Sequence, residues 1–137
     1  MFSLLFLLPL LFSPSLCFPT RPPSAHLLSR ADLVAGPTCN GGSISSHDCN
    51  VALLGLGGGI AGTIEFLRVD ATTNSSTSGG CTMTVTAVDG GTSIDISKGR
   101  LEQGQQAAID ACGQPAWSVT VAGGSVGGDL QIVQSAA

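Results

Sequence analysis

Residues 45–62 read SSHDCNVALLGLGGGIAG, and within them Gly57, Gly59 and Gly62 fall into the spacing G-x-G-x-x-G. Such a loop cradles a pyrophosphate only where a strand leads into it and a helix opens from it. Here the order is reversed. Ser45 and Asp48 fit the S-x-x-D start of a helix, with Ser45 as N-cap and Asp48 in the first turn. Cys49, Ala52, Leu53 and Leu56 follow at i, i+3, i+4 and i+7, one apolar stripe on a helix of about three turns. Gly57 to Gly59 stop that helix, because glycine supplies a left-handed cap and weakens a helix interior. Residues 62–71 (GTIEFLRVDA), rich in β-branched and aromatic side chains, read as a strand. The glycines are therefore a joint between helix and sheet, and no nucleotide or other cofactor is expected.

Outward from this joint, residues 81–88 alternate cleanly. Cys81, Met83, Val85 and Ala87 point one way, and Thr82, Thr84 and Thr86 the other, so a strand with a wet threonine face is expected. Between the two strands lies TTNSSTSGG, residues 72–80, which reads as a long polar loop. It carries the sequon Asn74-Ser75-Ser76, making Asn74 a candidate N-glycosylation site. Asp89-Gly90-Gly91 turns the chain. Residues 98–112 (KGRLEQGQQAAIDAC) form a second helix, with Leu101, Gln105, Ala108 and Cys112 on one stripe, Ile109 beside it and Gly113 as stop. Gly104 inside it costs about 1 kcal/mol relative to alanine. Trp117, Val119 and Val121 alternate in a further strand, the glycine-rich residues 123–128 turn it, and residues 130–133 return. Residues 33–39 supply a first strand, at an edge or strand end because of Pro37. The expected order is β-α-β-β-α-β with an additional C-terminal strand: a small α+β two-layer sandwich of split βαβ type, two helices on one face of an antiparallel sheet. A β-sandwich is the alternative.

The N-terminal residues 1–17 are apolar, and no charged side chain occurs before Arg21. Pro9 and Pro14 interrupt a run too short for a spanning helix, and Ser15 and Cys17 suit a signal-peptide cut ahead of Phe18. Residues 18–32 are proline-rich and read as a flexible arm or pro-segment, with Arg30 as a processing position. Residues 33–137 make one domain. The sequence has 5 cysteines; removing Cys17 leaves Cys39, Cys49, Cys81 and Cys112, an even set for an oxidising compartment. Two disulfides follow, with three connectivities open. No C-x-x-C pair or downstream histidine pair supports a zinc site, so no metal ligands are assigned.

Beyond the arm, only Arg68, Lys98 and Arg100 are basic, which gives no footprint for nucleic acid. His26 and His47 are the two histidines. His47 adjoins Asp48, but neighbouring helix residues diverge and no G-x-S-x-G elbow is present, so His47 reads as a solvent-facing residue at a helix start. Glu65, Asp70, Asp89, Asp95 and Glu102 offer no distinguishable pair for glycoside hydrolysis and read as solvated surface. Trp117 is expected as a core anchor, with an exposed ligand-stacking platform as the competing role. No catalytic residue is assigned.

The segment C-N-G-G…S-x-x-D-C from Cys39 to Cys49, Cys81 opening a T-x-T strand and Cys112 closing the second helix together resemble small secreted cysteine-rich fungal effectors of the killer-toxin-like and necrosis-inducing type. The resemblance covers about the last hundred residues and rests on cysteine placement and element order. It implies a compact α/β sandwich with no cofactor and no transferable catalytic residue. On this reading the protein is a secreted glycoprotein, a monomeric non-enzymatic effector or toxin. It binds an extracellular or host protein, a membrane component or the cell wall, in virulence or competition. A cell-wall carbohydrate-binding module is the alternative, and a small secreted hydrolase the third reading.

Overall fold

The computed structural model describes residues 32–57, 59–61 and 64–137, so the expected signal peptide, most of the expected arm, His26 and Arg30 lie outside the described residues. The capped stretch behaves as its residues dictate. Helix α1 (Ser46–Gly55) begins at Ser45, whose hydroxyl accepts from the Asp48 N–H at 3.4 Å. It ends where Gly57 takes φ +80°, the left-handed region that costs glycine little. Two distant side chains satisfy carbonyls of its last turn: Lys98 Nζ donates to Leu54 at 3.2 Å, and Asn74 Nδ2 to Leu56 at 2.7 Å.

The full order is β1 (Leu33–Gly41), α1, β2 (Gly59–Ala61), β3 (Ile64–Val69), β4 (Thr73–Ser78), β5 (Cys81–Val88), β6 (Ile94–Ser97), α2 (Lys98–Cys112), β7 (Ala116–Ser125) and β8 (Gly128–Ala136). One antiparallel sheet runs β2-β3-β6-β7-β8-β5-β4. β1 pairs with β7 over Ala116–Val121, and β6 meets β7 only at Ser125, beyond the irregularity between Val121 and Ser125. The β-sandwich alternative is overturned by this single sheet. The molecule is a small, β-rich α+β fold with two disulfides.

Three strands exceed the expected order. β2 arises inside the glycine run and pairs with β3, so the run is more than a joint. β4 replaces the expected polar loop: all of TNSSTS pairs with β5 through a tight turn at Gly79-Gly80. β6 follows the Asp89-Gly90 turn and leads directly into α2. The glycine-rich segment 123–128 also differs, because Gly123 and Gly124 continue β7 and only Val126-Gly127 turns.

Alternation puts one face of the sheet in the core. Met83, Val85, Trp117, Val121, Leu130 and Ile132 are fully buried on it, and Trp117 is the core anchor; the stacking-platform role is excluded. Both helices lie on that same face. Cys49 of α1 is bonded to inward-facing Cys81, and a methyl added at Gly104 of α2 would lie 2.8 Å from Ile132 Cδ1 and 3.1 Å from Val121 Cγ1. The glycine that weakens α2 locally is thus what lets the helix approach the sheet. Gln134 is wholly buried among these apolar residues; its Nε2 donates to Pro115 O at 3.0 Å. Its Oε1, and Nε1 of the register-paired Trp117, have no protein partner among the described residues.

Each disulfide fastens one helix to the sheet. Cys39–Cys112 ties β1 to the last residue of α2, with Cα atoms 5.4 Å apart; Cys49–Cys81 ties α1 to the start of β5 at 5.1 Å. Such bridges suit a chain exposed to an oxidising compartment. Among the described residues, no helix is long and apolar enough to cross a membrane.

Candidate functional site

The residues that sequence chemistry singles out do not converge. His47 is exposed, while Asp48 turns to the sheet and accepts the Gly80 N–H at 3.0 Å. Asp48 therefore fixes the β4–β5 turn, a role its position at a helix start does not announce. Among the acidic candidates, Glu65, Asp70, Asp89 and Glu102 are exposed, and Asp95 pairs with Arg68 at 3.3 Å. That ion pair is largely solvated and contributes little. Asn74 stands on a strand, half-buried, its Nδ2 engaged with the end of α1. Gly57 and Gly59 lie between a helix and a strand, the reverse of a phosphate loop, and Gly62 lies outside the described residues.

Among the described residues, two features could receive a ligand. The first is a cleft of about 210 Å³ between the helices, lined by Asn50, Leu53, Leu54, Glu102 and Gln105. Gln105 Nε2 donates to Asn50 Oδ1 at 3.3 Å across it, so part of its polar lining is already paired. Its volume lies below the usual range for a small-molecule site.

The second is the outer face of the sheet, opposite the helices. The register of β4, β5, β8, β7 and β1 aligns the outward residues into rows across the strands. One row is Thr73, Thr86, Gln131, Thr120 and Ala35; the next is Ser75, Thr84, Val133, Ser118 and Thr38. A third begins with Thr77, Thr82 and Ser135. These side chains are half-buried in the centre and exposed on β4 and β1. Thr77 Oγ1 and Thr82 Oγ1 hydrogen-bond across strands at 2.8 Å. The face thus carries hydroxyls, which both donate and accept, at strand spacing in one direction and two-residue spacing in the other.

From sequence, Thr82, Thr84 and Thr86 of this face are recognisable as the polar half of an alternating strand, and Ser118 and Thr120 as the residues between Trp117, Val119 and Val121. The contribution of β4 was hidden because TNSSTS has no apolar partner set to mark a period. The usable signal was the two-glycine turn, Gly79-Gly80, which lets a polar run fold back on β5.

Compared with known proteins, the chain matches no family model, no characterised sequence and no solved structure.

Proposed function

We propose that this chain is a secreted, disulfide-stapled binding protein of effector or toxin-like type that acts without catalysis on a target outside the producing cell. The observation that carries the reading is the outer sheet face: neutral hydroxyl rows presented by strands whose opposite side is packed under two bridged helices. A surface held this rigidly loses little entropy on binding, which favours recognition. The cysteine spacing that resembles fungal killer-toxin-like and necrosis-inducing effectors agrees with this role, as does a bridge set suited to the extracellular space.

The test is direct. Purified protein with both bridges intact is infiltrated into leaf tissue and added to competing fungal cultures, alongside reduced and alkylated protein. A dose-dependent response to the bridged form in either assay is expected. Silence in both, together with turnover in a broad hydrolase screen, would replace this reading with the hydrolase one. The wall-binding alternative is favoured by one specific observation, the neutrality of the hydroxyl rows.

A further inference from the structure

We propose that the outer face of β4, β5, β8, β7 and β1 docks a neutral glucan, a cell-wall polymer bearing only hydroxyl groups, laid across the strands along the Ser/Thr rows. This rests on the extracellular binding role above and names the ligand of that face.

Charge is the first argument. The described residues include every Asp and Glu of the sequence, together with Arg68, Lys98 and Arg100, yet none of these side chains stands in the rows. Asp129 shares this face just beyond the first row, where it pairs with Val88 and its Oδ1 accepts the Gly123 N–H at 2.8 Å. With no cation on these strands, the face has no means of attracting a polyanion, an anionic lipid surface or nucleic acid. The three rows themselves carry no charged side chain, which suits a neutral partner.

Area is the second. With strands about 4.8 Å apart and same-face residues about 6.8 Å apart along a strand, five strands and three rows span roughly 19 by 14 Å. Even with a margin for side chains this falls well short of the roughly 800 Å² that each partner buries in a standard protein complex. The rows also lack the Trp, Tyr and Arg anchors that carry protein interfaces, and Trp117 is buried. A second copy of this chain, or another protein, would find too little here.

The third is hydrogen-bond chemistry. Each Ser or Thr hydroxyl donates one bond and accepts others, and so does each hydroxyl of a glucan. The Thr77–Thr82 bond at 2.8 Å shows that these groups engage partners across strands at this surface. A polymer bearing acetamido methyl groups would want apolar seats, and Val133 is the single branched aliphatic side chain within the central row. Without stacking, each sugar is held weakly. Binding therefore has to accumulate along the polymer and should be negligible for short oligosaccharides.

The experiment measures retention of the full secreted protein on insoluble β-glucan, on chitin and on a polyanionic pectin. Saturable retention on β-glucan is expected, little changed by added salt, with much weaker retention on the other two. The double variant Thr84→Val, Ser118→Ala removes hydroxyls from the central row while keeping residues that strands accept. It should weaken glucan retention by about ten- to a hundredfold, whereas Ser46→Ala on the exposed start of α1 should not. Near-UV circular dichroism and bridge mapping establish that each variant is folded. No retention on glucan, equal retention on chitin, or parental binding by the double variant would overturn the proposal. If glucan retention fails while the tissue or culture response persists, the ligand assignment falls and the binding role stands.

Discussion

Asn74 carries a structural duty that its sequon obscures. Its Nδ2, the atom to which a glycan would be attached, already donates to Leu56 O at 2.7 Å and closes the end of α1. Asn74→Asp replaces that donor with an acceptor and should lower stability by about 1 kcal/mol, read as a lower urea midpoint by Trp117 fluorescence. An unchanged midpoint would mean that water serves Leu56 equally well. Gly104 makes an opposite kind of test. Alanine in a helix interior normally gains about 1 kcal/mol over glycine. Here the new methyl would press on Ile132 and Val121, both wholly buried and unable to retreat to solvent. Overpacking typically costs 1–3 kcal/mol, about enough to reverse the sign. Gly104→Ala is expected to lower the urea midpoint, and a raised one would show that Ile132 Cδ1 can swing aside. At Gly128 no such escape exists, because a methyl would collide with backbone of Val88 and Gly91.

The two bridges separate at the scale of elements. Cys49 and Cys81 are 1% and 0% exposed, whereas Cys39 is exposed and Cys112 half-buried. Thiol attack requires access, so mild reduction should open Cys39–Cys112 first and spare Cys49–Cys81 until the core opens. Alkylation of partially reduced protein followed by peptide mass mapping checks this; the reverse order would contradict the burial argument. Both helices were legible because their signals are local: Ser45 and Gly57 bracket α1, and Lys98 to Cys112 holds a period that Gly113 ends. β5 was legible from strict alternation, with Ala87 the exception, half-buried where burial was expected. β2, β4 and β6 were not. β2 is three residues among glycines, β4 has no apolar member, and β6 is too short for its Ile94–Ile96 alternation to stand out. Strands of that kind are specified by the partner they pair with. The hydroxyl face depends on register across five strands, so no single segment could announce it.

For the whole molecule, the pairing of β1 with β7 has a consequence in time. Its register partners, such as Cys39 with Trp117, are far apart in the chain, so the first strand finds its place only when most of the chain is available. A fold dominated by such non-local antiparallel pairing forms slowly, over roughly milliseconds to seconds. Meanwhile Cys39 and Cys49 stand close together in sequence, while their native partners lie 73 and 32 residues downstream. A loop of about ten residues closes in roughly 10–100 ns, long before either native contact. Oxidative refolding quenched early should therefore contain a Cys39–Cys49 crosslink that later disappears. Its absence would mean that β1 is held apart from α1 from the start. Vectorial synthesis sharpens the problem, because these two cysteines emerge close together and ahead of both native partners. If that crosslink forms, the late docking of β1 on β7 makes the protein's maturation depend on reshuffling, and its yield on the isomerase capacity of the cell that makes it.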